Sequence, residues 1–297
     1  MSDIANPDTA TDALTPAIEA EVETGIASKD VEPVAEAAAV DVADEPAKEE
    51  ATGQQDDSDS WWDLLRILVY ALIIALVERT LFFQPYNIPS GSMEDTLLVG
   101  DFLFVEKFSY GYSRFSLPWG RLLPPFERVW AGEPKRGDVV VFALPSDTST
   151  DFIKRIVGLP GDHVQLLGGV LFINDKPIPK VRVSDFVEDR NGYEHHVARY
   201  RETLPNGKSY YVLDADANGP NDDTQVYTVP AGHYFMLGDN RDDSDDSRGI
   251  VGYVPYENLV GRAEFKFFSI DDDKTQWWTF WKWPWAVRYD RMFTLVD

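Results

Sequence analysis

Residues 136–162 read RGDVVVFALPSDTSTDFIKRIVGLPGD, and the fold class is decided here. Asp138–Ala143 and Phe152–Val157 are short runs of β-branched and aromatic residues, separated by the polar segment PSDTSTD and closed by LPGD. Runs of this kind, bounded by Gly, Pro, Ser and Asp, form strands, because branched side chains pack well on a pleated surface and the flanking residues supply turns. Period-two alternation along Phe152–Val157 puts Lys154 on one face with Phe152 and Ile156 and turns Arg155 to the other. Lys154 then lies among apolar groups, with a surface lysine on an edge strand as the alternative. Arg155 is expected to be solvated or ion-paired.

The same signature recurs outward from this stretch. Phe102–Lys107, His163–Leu167, Val170–Ile173, Tyr210–Leu213, Tyr234–Leu237 and Ala263–Phe268 are further strand-like runs broken by Gly, Pro, Asp and Asn. No long helical period intervenes, which argues against parallel βαβ units and for an all-β domain over residues 84–297. Residues 168–232 are more polar and turn-rich than their flanks, as an inserted β subdomain would be, and no internal repeat is present.

Towards the N-terminus the character changes twice. Residues 1–60 carry 17 acidic side chains against Lys29 and Lys48, and no aromatic precedes Trp61. Such a segment buries too little apolar surface to offset its ordering entropy and is expected to be a disordered acidic tail. From 61 to 83 the chain is apolar, with the unbroken run Ile67–Val77 at its centre. Twenty-three helical residues reach roughly 34 Å, so this segment is expected to be a transmembrane anchor helix, with Arg66, Glu78 and Arg79 snorkelling near its ends. A buried amphipathic helix is the alternative. Basic residues flanking the helix are too few to set its orientation.

Composition removes several function classes. Of the net charge of −24, the tail holds −15 (2 − 17) and the rest −9 (25 − 34), with no basic stripe to meet a phosphate backbone, so nucleic-acid binding is not expected. The absence of cysteine removes disulfides, thiolate metal sites and cysteine nucleophiles. The four histidines show no metal-ligand spacing and no GxSxG elbow occurs, so neither a zincin nor an α/β-hydrolase is expected, and no cofactor or metal is called for.

What remains for chemistry is serine and lysine. The segment Tyr86-Asn87-Ile88-Pro89-Ser90-Gly91-Ser92-Met93 follows the apolar helix directly, where Pro89 stiffens the entry and Gly91 allows a tight left-handed turn that can present a hydroxyl. A plain capping or ST-turn serine pair fits this segment equally well. An ordinary lysine, with a pKa near 10.4, is neutral in only about 0.04% of molecules at pH 7; burial that lowers the pKa by about 3 would make Lys154 a usable base. A Ser/Lys dyad is therefore the most economical nucleophilic arrangement available. A third segment, Gly238-Asp239-Asn240-Arg241-Asp242-Asp243-Ser244-Asp245-Asp246-Ser247-Arg248-Gly249, packs hydroxyls, acids and two arginines into one loop. A polar turn or a calcium-binding acidic loop is its ordinary reading, although the spacing of an EF-hand is absent.

Taken together and in this order behind an apolar helix, the three segments resemble the motif boxes of bacterial type I signal peptidases, over roughly residues 61–268. The resemblance implies a catalytic domain of coiled antiparallel sheets on the outer face of the cytoplasmic membrane, held by a single-pass anchor. Ser92 then corresponds to the nucleophile and Lys154 to the general base. Ser90 matches the side-chain donor of the oxyanion hole, whose other donor is the Ser92 backbone N–H. Ser244 matches a serine that hydrogen-bonds the lysine, and Asp246 and Arg248 an acid and arginine that support the dyad from behind. The expected reaction is acyl transfer that removes N-terminal signal peptides from exported, membrane-bound preproteins after small residues, as in Ala-x-Ala. The lipid bilayer is an implied partner and the secretion channel a further candidate one. This chain departs from the family in having Asp95 where proline is usual and Asp243 where asparagine is usual.

Five of nine tryptophans fall between Trp277 and Trp285, and Phe102–Trp130 is a second aromatic-rich segment. Both suit a headgroup layer or, alternatively, a core. Two rivals remain: a soluble self-cleaving Ser/Lys peptidase of the SOS-repressor kind, disfavoured by the apolar helix, and a catalytically idle membrane-tethered β-module that binds exported proteins.

Overall fold

The computed structural model describes residues 57–190, 193–216, 218–271 and 279–296. Most of the expected disordered tail, and Trp277 and Trp278 of the tryptophan run, lie outside the described residues. Residues 56–297 belong to one compact unit.

Helix α1 runs Asp57–Leu81, starting four residues before the expected Trp61. The expected transmembrane anchor needs correction: among the described residues no helix is long and apolar enough to cross a membrane. Arg66 and the Glu78–Arg79 pair bracket an unbroken apolar run of eleven residues, Ile67–Val77. At 1.5 Å per residue that run covers roughly 16 Å, about half of a hydrocarbon core. Residues Trp61–Arg79 of the helix are exposed on every side. Its C-terminal end is fastened to the domain: Lys107 Nζ donates to the Arg79 carbonyl (2.9 Å) and the Tyr112 hydroxyl to that of Leu81. An ammonium over terminal carbonyls suits the negative end of the helix dipole.

Beyond α1 the domain is built of antiparallel strands, as expected for the all-β reading. The largest sheet has eight. Strand β1 (Phe83–Asn87) pairs with β2 (Asp101–Glu106), β2 with Leu259–Ser269, that strand with β3 (Val139–Leu144), and β3 with β4 (Asp147–Gly158). His233–Leu237 and Val254–Pro255 continue the order, and Thr294–Leu295 adds to Leu259–Ser269. Among the described residues there are three smaller sheets: one of four strands around His163–Leu167 and Val170–Ile173, one of three around Arg199–Thr203, and the pair Phe186–Arg190 with Tyr193–Val197. His163–Leu167, which precedes residue 168, hydrogen-bonds to Val170–Ile173, so the sheet runs across the start of the expected insertion.

Strand β3 explains why its sequence is an unbroken apolar run. Val139, Val141 and Ala143 enter one core with Met93, Leu97, Leu103 and Val105, while Val140, Phe142 and Leu144 enter another with Ile156, Met236 and Val254. A strand buried on both faces loses the alternation that marks a half-exposed one. Strand β4 grades along its length: its first residues are largely exposed, and Lys154–Gly158 are all buried.

Candidate active site

Lys154 lies opposite Val140 on β3, at the point where β4 becomes buried, and only 3% of its surface is exposed. The edge-strand alternative is thereby excluded. Phe152 sits beneath its ammonium, 5.5 Å from Nζ to the ring centroid, and Ile156 is fully buried on the same face. Desolvation pushes the Lys154 pKa down to about 8, against the opposing pull of the Asp246, Asp239 and Asp245 carboxylates.

Ser92 is 62 residues away in sequence, yet its Oγ lies 2.6 Å from Lys154 Nζ. It occupies a 3-10 turn, Gly91–Met93, entered from extended Ser90. Met93 and Leu97, both fully buried, plug this turn into the core shared with β3. Gly91 does not adopt the left-handed conformation expected from sequence; it is absent from the glycines of positive φ. A Cβ at position 91 would stand 2.8 Å from the Glu94 carboxylate, the end of a flexible side chain that would have to shift.

The loop after His233–Leu237 is clamped to the Ser92 turn. The Asn240 N–H donates to the Ser92 carbonyl and the Asn240 side-chain amide to that of Gly91, both at 3.2 Å. Gly238 permits the approach, because a Cβ there would lie 2.1 Å from Ser244 Oγ and 2.5 Å from the Ser92 carbonyl. Behind the loop, Arg248 grips Asp246 bidentately, Nε to Oδ1 at 2.9 Å and Nη2 to Oδ2 at 2.8 Å, with both side chains out of solvent. Asp246 also accepts the Gly238 and Arg248 backbone N–H groups. A buried charge pair held this completely is fixed in place.

Two expected partners behave differently. Ser244 lines the cleft with Ser92 and Lys154, but its Oγ is buried without a hydrogen-bond partner and does not bond Lys154. Lys154 instead uses the Ile153 carbonyl (3.0 Å) beside Ser92. Ser90 is exposed on the wall of the same cleft. The cleft holds about 560 Å³ and is further lined by Pro89, Thr150, Phe152, Asn221 and Asp242–Asp245.

The sequence allowed an ion pair at Arg155 but named no partner for it. Arg155, turned away from Lys154, is wholly buried and bonds Asp239 through Nε (2.9 Å) and Nη2 (2.8 Å). It also reaches the Gly137 carbonyl and Thr96 Oγ1 and lies over the Tyr210 ring. Beside it Arg241, Glu202 and the Tyr210 hydroxyl form a second buried cluster. Alternation had placed Arg155 on the opposite face correctly, but nothing local reveals that Asp239, 84 positions on, waits there. Of the two departures, Asp95 pairs with Arg199 at 2.9 Å, tying the Ser92 segment to Arg199–Thr203, and Asp243 lines the cleft. In the aromatic segments, Trp119, Trp130, Trp281 and Trp285 are largely exposed, so these rings do not fill the core.

Residues 61–268 match the family described as signal peptidase, peptidase S26. The chain is 44% identical over 216 residues to a signal peptidase I of Rickettsia typhi, a match covering 70% of this chain and 80% of the relative. It is 41% identical over 225 residues to one of Rickettsia akari, covering 73% and 81%. A crystal structure of a signal peptidase I from Enterococcus faecalis is similar at 28% identity over 44% of this chain and 96% of that one, with a TM-score of 0.26. With a family match over more than two-thirds of its length and relatives above 40% identity, the chain belongs to the signal peptidase family, peptidase S26, and is a hydrolase.

Proposed function

We propose that this chain removes N-terminal signal peptides from exported preproteins by acyl transfer, with Ser92 as nucleophile and Lys154 as general base. The observation that carries the reading is the 2.6 Å approach of Lys154 Nζ to Ser92 Oγ inside a cleft, with the lysine's pKa near 8. A neutral amine at that distance takes the hydroxyl proton as Oγ attacks the scissile carbonyl, then returns it to the leaving amine. Water hydrolyses the acyl-enzyme by the same route. Ser90 on the cleft wall and the Ser92 backbone N–H serve as oxyanion donors. Asp246 and Arg248 hold the loop that faces the lysine. Cleavage follows small residues, as in Ala-x-Ala.

The substrate is taken at a membrane surface. The run Ile67–Val77 of helix α1 is apolar and uncovered by protein, and Trp119, Leu122, Trp130, Trp281 and Trp285 are exposed on loops. A large exposed apolar patch marks a membrane or protein contact, and aromatic rings on loops favour the headgroup layer. A soluble self-cleaving peptidase offers no use for such a helix.

The test is cleavage of a preprotein by the full chain and by Ser92→Ala and Lys154→Ala. Undiminished cleavage by either variant would sink the dyad, and turnover by the parent chain excludes an idle binding module. Failure of the full chain to sediment with phospholipid vesicles would remove the membrane part of the reading.

A further inference from the structure

Away from the dyad, three carboxylates converge between the loop 214–222 and the loop that carries Ser244. Asp214, Asp222 and Asp242 each place one oxygen within 4.8 Å of the other two. Asp214 and Asp222 are buried, at 6% and 2% exposure, and Asp242 is half-buried. Each is already held through one oxygen. Asp214 Oδ2 accepts from Lys180, Asp222 Oδ2 from the Gly219 N–H (2.8 Å), and Asp242 Oδ2 from the N–H groups of Ala215 and Asp216 (2.6 and 2.9 Å).

The second oxygen of Asp214 is the anomaly. Its Oδ1 is buried and has no hydrogen-bond partner. Leaving a carboxylate oxygen in this state is costly unless something else meets it. The local charge leaves the same gap: three carboxylates against one ammonium, −3 + 1 = −2. Two glycines pass close to the cluster: a Cβ on Gly219 would stand 2.7 Å from Asp242 Oδ1 and one on Gly169 2.9 Å from Asp214 Oδ2.

We propose that Asp214, Asp222 and Asp242 bind one hard divalent cation, calcium being the ion their spacing suits, and that it fastens the 214–222 loop to the Ser244 loop. Calcium takes oxygen ligands at about 2.3–2.6 Å, so oxygens around one ion lie at most roughly 5 Å apart. The three carboxylates meet that limit, and their net charge with Lys180 matches the ion's. This departs from the metal-free expectation drawn from sequence, because the ligands come from two loops and show no contiguous motif. A direct link between these loops already exists, Arg248 Nη1 to the Asn221 carbonyl at 3.4 Å. The proposal does not rest on the peptidase reading.

The full chain, stripped with chelator, is titrated with calcium chloride by calorimetry and followed by thermal unfolding and hydrogen exchange. One saturable site per chain is expected, with Tm rising roughly 5–10 °C at a hundredfold excess over Kd. Amide exchange should slow at 215–219 and 239–246. Asp222→Asn, which keeps an acceptor for the Gly219 N–H, should weaken the site at least about tenfold while leaving any loose uptake by the acidic tail unchanged. Absence of a saturable site, or unweakened binding by Asp222→Asn, overturns the proposal. If that variant does not fold, the wild-type exchange pattern decides: calcium-dependent protection that spares both segments overturns it equally.

Discussion

Lys107 and Lys154 are both buried, and desolvation pushes both ammonium groups down to about 8. They differ in what their Nζ atoms meet. Lys107 donates to a main-chain carbonyl at the end of α1, an acceptor with no proton to give up. Lys154 meets a serine hydroxyl in a cleft. A depressed pKa is thus a property of burial, and only the partner turns it into candidate base chemistry. One lysine fastens a helix; the other is placed to take a proton.

The hardest test of that contrast is removal of each amine in turn. Lys154→Ala is expected to lower kcat/KM by at least about 10⁴-fold, whereas Lys107→Met should retain activity to within about threefold in detergent and lose stability at the α1 junction. Signal-peptide cleavage assays on both variants check this. Equal losses would show that burial of a lysine, wherever it lies, is what the fold requires.

The second test works through the acids, which differ around the two lysines. Asp239 opposes the fall in the Lys154 pKa and pairs with Arg155 beneath it. Asp239→Asn leaves the Arg155 guanidinium buried against a neutral amide and is expected to cost about 3–5 kcal/mol of stability, read by denaturant unfolding. At Lys107 the opposing carboxylate is Glu78, while Arg79 pushes in the same direction as burial. A loss under about 1 kcal/mol would mean that the pair contributes geometry alone.

A third test separates the lysines by pH. Below a pKa of about 8 the fraction of neutral Lys154 falls tenfold per unit, so kcat/KM should rise about tenfold from pH 6 to 7 and level off above pH 8. Lys107→Met should leave that limb in place. The stability signature has a definite sign. The folded pKa lies below the ordinary lysine value of 10.5, so the unfolded chain binds the extra proton between about 8 and 10.5. Stability from this group therefore rises with pH across that window, and its full penalty, about 3 kcal/mol, is present below it. A rate flat from pH 6 to 9 would remove Lys154 as the base.

Burial on the Lys154 face was legible because side chains alternate sides along a strand and Phe152 and Ile156 lie two residues either side, whereas burial of both faces over Lys154–Gly158 was not. Strands such as His163–Leu167 and Val170–Ile173 were readable to the residue, since turn residues flank both. Strand β1 was not, because Phe83–Asn87 continues the apolar composition of the helix and has Pro85 within it. A Pro survives there because β1 pairs on one side only. Partners were the general blind spot. Neither the Arg155–Asp239 pair nor the Asp214, Asp222 and Asp242 cluster has a local signature, since each joins segments that meet only after the sheets form. The length of α1 was readable, but its charges were discounted as terminal when they cut the apolar run to eleven residues.

Ser244 gives the finest division between the two lysines, for it lines the cleft with Lys154. Its hydroxyl is buried and unpartnered, so Ser244→Ala removes an unsatisfied group and should change stability by no more than about 0.5 kcal/mol. If the hydroxyl bonds the lysine only once substrate enters the cleft, the same variant should still lose more than about tenfold in kcat/KM, because apo geometry understates contacts completed in the complex. A destabilised Ser244→Ala with normal kinetics would reverse that assignment and make the residue a packing element of the loop on Gly238.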